Sequence, residues 1–215
     1  MDWMREIDGY CERLGPGYWA EPINAVTNFA FVVMALVMWR RVPAEAGLER
    51  ALVVILGLIG LGSYLFHTHA RVWAAMADTL PILAFILVYI FAAHRDIWGM
   101  RFWPSLAWTV GFIPYAFVTV PLFQLIPGLG SSAGYAPVPL LIALHAVALR
   151  HRAPETARGF AIGAGLLTLS ITFRALDDPL CGALPFGTHF LWHLFNAVML
   201  AWMIEVYVRH QKPRN

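Results

Sequence analysis

The sequence contains few charged residues. Of 215 residues, only 13% are Asp, Glu, Lys or Arg, whereas 60% are hydrophobic. Soluble globular domains carry about 25% charged residues. A chain of this size has too little interior to hide the remaining apolar surface from water. The shortage of charge therefore excludes an ordinary soluble domain and indicates a membrane protein.

Lysine is almost absent, with Lys212 the only one beside fourteen arginines. A retinal photoreceptor attaches its chromophore to a lysine within a span. Because Lys212 lies in the C-terminal tail, this class is excluded. The excess of arginine is associated with GC-rich bacterial genomes, so we expect a bacterial protein. The net charge of +2 gives no reason to expect a nucleic-acid partner.

Seven stretches approach the roughly 20 apolar residues that cross a bilayer. They are residues 23–39, 51–66, 72–93, 102–126, 136–149, 157–173 and 190–208. Pro114 and Pro121 predict a kink or an early end in the fourth stretch. No linker or low-complexity tract interrupts the pattern. We therefore predict an all-α membrane protein, a single seven-transmembrane helix bundle over residues 1–215.

Basic residues in the loops predict the orientation of this bundle. With seven spans, eleven of the fifteen Lys and Arg residues fall in the alternate loops and tail on one side, and four on the other. Cytoplasmic loops are the ones enriched in Lys and Arg. We therefore expect the C-terminus to be cytoplasmic and the N-terminus outside, with residues 1–22 forming an extracytoplasmic segment.

Polar residues gather at the outer end of the predicted bundle. Ser63 and His67 are four residues apart near the end of the second span, so they share one helix face. Asp78 lies in the first two turns of the third span. His189 and His193 are four apart at the start of the seventh. Ionisable groups at membrane depth usually face the bundle interior, which predicts that these five residues meet.

Three histidines beside a carboxylate are typical of a zinc site, because catalytic zinc takes three protein ligands plus water. The alternative for the His189–His193 pair alone is an interfacial belt of aromatic residues, since a pair at this spacing is a short motif. His69 has no partner at helical spacing and is interpreted as an exposed loop histidine. His145 is interpreted as a hydrogen-bonded core residue, and His94 as an interfacial one.

The Ser-x3-His of "GSYLFH", the later Asp78 and the closing "HFLWH" resemble the alkaline ceramidase family over nearly the whole chain. That family belongs to a wider group of seven-span hydrolases that includes the adiponectin-receptor-like proteins. The resemblance implies a zinc-dependent amide hydrolase that cleaves ceramide-like lipids to a sphingoid base and a fatty acid. His67, His189 and His193 would bind zinc, with Asp78 and Ser63 as the catalytic residues.

The N-terminal stretch "IDGYCERLGPGYWAEPINAVTNF" also resembles the segment in which that family binds Ca²⁺. The resemblance implies carboxylate, amide and backbone oxygens from six residues: Asp8, Tyr10, Glu12, Leu14, Glu21 and Asn24. Leu14 stands where the family has Asn, and Tyr10 and Leu14 offer only backbone carbonyls. The alternative interpretation is a solvated acidic arm. Thr27 and Asn28 share a face with Asn24 and can also bond neighbouring helices.

Cys11 and Cys181 are the only cysteines, and the predicted topology places both outside, where disulfides persist. The residues alone leave open two independent thiols, because connectivity does not follow from sequence. The resemblance implies that the two are bridged. It also gives Asp177 a structural role, and Arg174 is a candidate partner for that carboxylate.

Two other functions fit the same residues. A non-catalytic seven-span receptor would use the zinc structurally, with Asp78 as a fourth ligand. A hydrolase of another lipid amide or ester would share the whole site. In each case we expect a multi-pass protein of the bacterial inner membrane whose site faces the extracytoplasmic side. Its partners would be a lipid substrate and membrane lipids, with no obligate protein partner.

Overall fold

A computed structural model describes residues 2–212 of the chain. Residues 2–21 are irregular and form one isolated bridge, between Glu6 and Arg71, whereas residues 22–212 are mainly helical. The eight α-helices are α1 (Pro22–Thr27), α2 (Phe29–Arg41), α3 (Gly47–His69), α4 (Val72–Ala92), α5 (Phe102–Gln124), α6 (Pro137–Leu149), α7 (Pro154–Leu176) and α8 (His189–Gln211). The helices pack mainly on neighbours in sequence, as an up-and-down bundle does.

Six segments of the described chain are long and apolar enough to cross a membrane: Pro22–Arg41, Gly47–His69, Val72–Ile97, Phe102–Gln124, Pro154–Leu176 and His189–Gln211. The first joins α1 and α2, and the third ends in a π-helical turn after α4. Helix α6 is the predicted fifth span but has only 13 residues. At 1.5 Å per residue it measures about 20 Å, short of the roughly 30 Å of hydrocarbon.

Helix α5 lies at the periphery of the bundle. Only 11% of its most apolar 18 residues are buried inside the protein, and Phe117 and Val118 are largely exposed. A soluble protein would not expose such a continuous apolar surface, which suits contact with lipid. The helix continues through Pro114 and Pro121 to Gln124, so the early end expected from these prolines is not found.

Helix α8 is the centre of the bundle. In the same measure 67% of it is buried, and it packs on α2, α3 and α7. Its first turns carry His189 and His193, both fully enclosed by neighbouring helices. The start of α8 is therefore the place where side chains from several helices can converge.

Helices α3 and α4 approach each other closely where they turn. Helix α3 ends at His69, the next residue, Ala70, adopts a left-handed conformation with φ of 47°, and α4 begins at Val72. A Cβ atom on Gly62 would lie 2.0 Å from the carbonyl oxygen of Ala77. Only glycine permits this approach, which brings Ser63 beside Asp78 on the facing helix.

The N-terminal segment covers this end of the bundle. The amide of Ile7 donates to the carbonyl of Ala70, and the amide of Val72 donates to the carbonyl of Arg5, at 2.7 and 3.1 Å. These bonds attach residues 5–7 to the turn between α3 and α4. The segment that was predicted to lie outside the membrane therefore lies over the polar end of the helices.

Candidate metal centre

His67, His189 and His193 form the only group of three His, Cys, Asp or Glu residues within metal-binding distance in the described part of the chain. One ligand atom from each lies within 4.8 Å of the other two. His67 comes from the last turns of α3, and the other two come from the first turns of α8. The predicted convergence of these three histidines is confirmed.

Two of the imidazoles are held through the nitrogen that faces away from the group. The Nδ1 atom of His67 lies 2.6 Å from Oε2 of Glu21. The Nδ1 atom of His193 lies 2.9 Å from Oγ1 of Thr27, whose hydroxyl donates to the carbonyl of Ile23. In both rings Nδ1 is thus assigned as the N–H donor, which leaves Nε2 as a lone-pair ligand.

The nitrogens left over are without protein partners. Nε2 of His67, Nε2 of His193 and Nδ1 of His189 are buried and make no hydrogen bond. Buried polar atoms without a partner are costly, so three of them on rings whose ligand atoms lie within 4.8 Å of one another call for a ligand. Neutral imidazoles suit Zn²⁺, and three of them match the protein donors of a catalytic zinc site. The residues therefore fit a metal ion.

Asp177 fixes the first turn of α8. One of its oxygens accepts the amides of Thr188 and His189 at 2.7 and 2.8 Å, and the other accepts the amide of Cys11 at 3.0 Å. Gly187 makes room for this carboxylate, since a Cβ there would lie 2.0 Å from Oδ1 of Asp177. The carboxylate sets the position of His189 and ties the N-terminal segment to α8.

Tyr10 covers the outer face of the group. Its ring stacks on His189, with centroids 3.7 Å apart. Burial raises the pKa of its phenol well above the usual value, although the nearby Arg174 opposes this rise. The Tyr10 side chain is therefore neutral and covers the His189 ring, a contact that the sequence did not indicate.

Asp78 and Ser63 lie beside the histidines. Ser63 is buried, and both Ser63 and His67 lie close enough to the half-buried carboxylate of Asp78 to interact with it electrostatically. The close approach of α3 and α4 at Gly62 creates this pair. Ser63 and Asp78 are thus held together next to His67.

Arg174 does not pair with Asp177, in contrast to our expectation. Its guanidinium donates to Ser131, Ser132 and the Tyr10 hydroxyl, and it lies over the rings of three aromatic residues. Those rings belong to Tyr10, Tyr135 and Trp192. Asp177 is already satisfied by backbone amides, which is the physical reason for the difference.

The residues expected to bind calcium differ in burial, unlike the three histidines, which are all buried. Asp8 is exposed and Leu14 is 90% exposed, whereas Glu12 and Glu21 are buried. Both oxygens of Glu12 accept backbone amides, from Ile23 at 2.7 Å and Asn24 at 2.8 Å. Burial raises the pKa of Glu12, and these two amides oppose the rise.

Glu21, the last of these acidic residues, is also occupied. It contacts His67 through one oxygen and Arg13 through the other. Burial opposes its ionisation, but the bonds and charges of these two residues prevail and lower its pKa. Calcium therefore stays a prediction.

Cys11 and Cys181 form a disulfide with Cα atoms 5.5 Å apart, as the resemblance implied. The bridge joins the N-terminal segment to the loop before α8. His69 lies at the end of α3, where it contacts Tyr18 and Trp73 rather than the group of His67, His189 and His193, which we call the metal group. It is half-buried, so its interpretation as an exposed loop residue was wrong.

An apolar cavity lies below the metal group, between α4, α6, α7 and α8. Its walls are almost entirely hydrocarbon and aromatic, formed by residues such as Ile86, Leu141 and Met199. Trp192, directly before His193 on α8, and Asn196, three residues after it, also line the cavity. The cavity therefore begins close to the metal group and continues into the membrane-spanning part.

Fold and site together define a helical membrane protein with a buried three-histidine group that can hold a metal ion. The family model described as Ceramidase matches residues 10–213. The chain therefore belongs to the ceramidase family, whose members are hydrolases. A search of curated proteins gives no match.

Proposed function

We propose that this chain is an intramembrane zinc-dependent amidase that hydrolyses ceramide-like N-acyl lipids to a sphingoid base and a fatty acid. The observation that carries the proposal is the set of three buried imidazole nitrogens without protein partners, next to Ser63 and Asp78. Family membership supplies the substrate class.

His67, His189 and His193 would hold the zinc. When bound, the ion supplies Lewis-acid chemistry that makes water nucleophilic near neutral pH. Glu21 and Thr27 hold the Nδ1 protons of His67 and His193, so that Nε2 of each ring stays free to bind. Such outer contacts fix the tautomer and the direction of a ligand.

Asp78 is the proposed general base. Its carboxylate would take the proton of the attacking water and then deliver it to the nitrogen of the leaving amine. Ser63 would donate a hydrogen bond to the carbonyl oxygen as negative charge develops there. Both roles need the two side chains at one place, and the close approach of α3 and α4 at Gly62 supports this.

The apolar cavity supports a lipid substrate. Its lining by α4, α6, α7 and α8 offers a dry site for an acyl chain, with the amide bond placed near the histidines. The polar residues of the site cluster at the end that the N-terminal segment covers. A substrate lying in the bilayer would thus meet the catalytic groups near one membrane surface.

We further propose seven crossings, with the zinc site toward the extracytoplasmic side of a bacterial inner membrane. Short helix α6 extends from the neighbourhood of Tyr135, which contacts Trp192 near the metal group, to His145, which contacts His94 at the far end of α4. This path supports a full crossing. The arginine-rich loops favour the opposite side as cytoplasmic.

Incubation of the purified full-length protein with lipids tests the function. The lipids would be a ceramide, another N-acyl amide and an ester of the same acyl chain, each with chelator, without it, and with zinc restored. We expect equimolar sphingoid base and fatty acid from the ceramide, loss with chelator and recovery with zinc. Hydrolysis of the ester or the other amide alone would assign a different substrate. No turnover of any lipid with zinc bound would favour the receptor.

A further inference from the structure

Arg13 is a buried cation next to the metal group. The side chain is 5% exposed, and all three guanidinium nitrogens are bonded. Nε donates to Oε1 of Glu21 at 2.5 Å, Nη1 to the carbonyl of Gly15 at 3.1 Å, and Nη2 to the carbonyl of His67 at 3.0 Å. The residue therefore joins the N-terminal segment to the backbone of a histidine of the site.

Glu21 connects Arg13 to the imidazole of the same histidine. Its Oε2 atom contacts Nδ1 of His67 at 2.6 Å, while Oε1 is bonded to Arg13. Arg13 thus holds His67 twice, directly at the main chain and through Glu21 at the ring. Glu21 is 2% exposed, and a carboxylate so buried needs a positive partner to remain charged.

The carboxylates of this segment have little capacity left for a divalent cation. Glu12 uses both oxygens on backbone amides, and Glu21 uses both on Arg13 and His67. The carbonyl of Tyr10 accepts the amide of Arg13. Calcium takes six to eight oxygen ligands. One observation favours such an ion, because Oδ1 of Asn24 is buried without a hydrogen-bond partner.

We propose that Arg13 is the built-in cation of the N-terminal segment and takes the place that a bound calcium ion was expected to fill. Its guanidinium neutralises Glu21 and holds that carboxylate against His67. Arg13 is thereby a positioning residue for the metal centre, which acts on the ion through Glu21 and His67. The inference rests on the proposed zinc site, and its readout is metal affinity rather than hydrolysis.

An arginine suits this position better than a mobile ion does. Its planar fork sets both the distance and the direction of the carboxylate, and its charge does not depend on ion concentration or on pH. Contacts of this kind around a metal-binding histidine typically contribute 10–100-fold to metal affinity. The gain comes from a histidine that is already oriented when the ion arrives.

Zinc affinity of the full-length protein tests the positioning role. Arg13→Met, Glu21→Gln and their double variant would be compared with Arg5→Met, an exposed arginine of the same segment, in competition with a chromogenic chelator. We expect a loss of about 10–100-fold in both single variants. The double variant should lose no more than either one, because the two residues act as a unit.

Two further variants separate positioning from general loosening of the segment. Glu12→Gln weakens the contact of the segment with α1 but leaves Arg13, Glu21 and His67 in place, so it should lower the melting temperature with little change in zinc affinity. Arg13→Lys keeps the charge and should recover part of the affinity. Substituted Co²⁺ should show altered d–d absorption in Arg13→Met and the wild-type spectrum in Arg5→Met.

Calcium titration of the unmodified protein gives a test that needs no variant. We expect up to millimolar Ca²⁺ to change neither the melting temperature nor the zinc affinity. A calcium-dependent rise in melting temperature would show an ion bound to the folded state and overturn the substitution of calcium by Arg13. Equal zinc affinity in Arg13→Met and Arg5→Met, or additive losses in the double variant, would overturn the positioning role. A wild type that binds no zinc removes the proposed function, and the positioning role with it.

Discussion

The bundle buries histidines at both ends, and the two groups differ in what their ring nitrogens contact. At the end away from the metal group, Nε2 of His94 and Nε2 of His145 lie 3.5 Å apart. Nδ1 of each ring bonds a carbonyl one turn earlier on its own helix, from Ile90 and Leu141. His94 also stacks on Trp108 and is buried.

The histidines of the metal group have the opposite pattern. Their outward nitrogens bond side chains from other segments, Glu21 and Thr27, and buried nitrogens on all three rings have no partner. In the His94–His145 pair every ring nitrogen has a contact partner, and no third metal ligand lies near the pair among residues 2–212. The difference teaches that burial of histidines alone does not define a candidate metal site. Such a site also needs a third ligand and ring nitrogens that have no partner in the protein.

The largest expected effect separates the two groups by metal content. His67→Ala, His189→Ala and His193→Ala should each lose zinc and all measurable turnover, because two imidazoles no longer provide the donors of a catalytic site. His94→Ala and His145→Ala should keep full zinc. Elemental analysis of protein that elutes as a single folded species checks this. Zinc loss in His145→Ala, or full zinc in His67→Ala, would contradict the assignment of zinc to the three-histidine group.

The carboxylates of the two ends provide the next contrast. Asp78→Asn keeps the shape of the side chain but removes the base, so turnover should fall about 10²–10⁴-fold with zinc retained. Asp96→Asn is the control, since Asp96 accepts a hydrogen bond from Tyr207 at the far end. Initial rates and zinc content would be measured on the same samples. Wild-type turnover in Asp78→Asn would make Asp78 a structural residue.

The disulfide tests whether the ends differ in stability. Removing it in Cys11→Ser/Cys181→Ser should cost about 2–4 kcal/mol. The loss should be local, because the bridge joins only the N-terminal segment and the loop before α8. Hydrogen exchange should therefore become faster near His189 and stay unchanged near His145. Maleimide labelling of unfolded wild type, before and after reduction, checks that both thiols are bridged. Uniformly faster exchange would contradict a local role.

Helical spacing and hydropathy predicted the convergence of His67, His189 and His193 because the information was local. A period of four residues places Ser63 with His67 and His189 with His193, and the alternation of spans brings both pairs to one end. The contacts around the ligands could not be obtained in this way. Glu21 was noticed only as an acidic residue of the N-terminal segment, and its bond to His67 depends on how that segment folds back over α3.

The role of Arg13 escaped prediction for the same reason. Its charge was counted toward the orientation of the bundle, whereas its burial follows from contacts across 54 residues of sequence. The polar face of Asn24, Thr27 and Asn28 was a usable signal. Thr27 bonds His193 from that face, one of the two possibilities left open. The count of seven spans depends on α6. With 13 residues, this helix is too short for its length and composition to identify it as a span.

The smallest expected effect comes from two glycines on one helix. Gly62→Ala places a methyl group against the carbonyl of Ala77, so α3 and α4 must separate where Ser63 meets Asp78. Gly57→Ala, further along α3, meets only the Cβ of Ala35 at 3.7 Å, an ordinary contact. We expect Gly62→Ala to cost about 1–3 kcal/mol as overpacking and Gly57→Ala to be neutral or stabilising by up to about 1 kcal/mol.

Turnover of the same two variants tests whether the close approach at Gly62 also matters for catalysis. Because the separation of α3 and α4 moves Asp78 away from Ser63 without removing a histidine, Gly62→Ala should lower turnover while zinc affinity stays near that of Gly57→Ala. A shift of about 1 Å at a reacting group can cost about 100-fold in rate. Thermal unfolding, zinc competition and initial rates on both variants decide the matter. Equal turnover in the two would mean that the close approach at Gly62 serves packing alone, and that the catalytic pair tolerates a looser join between the helices.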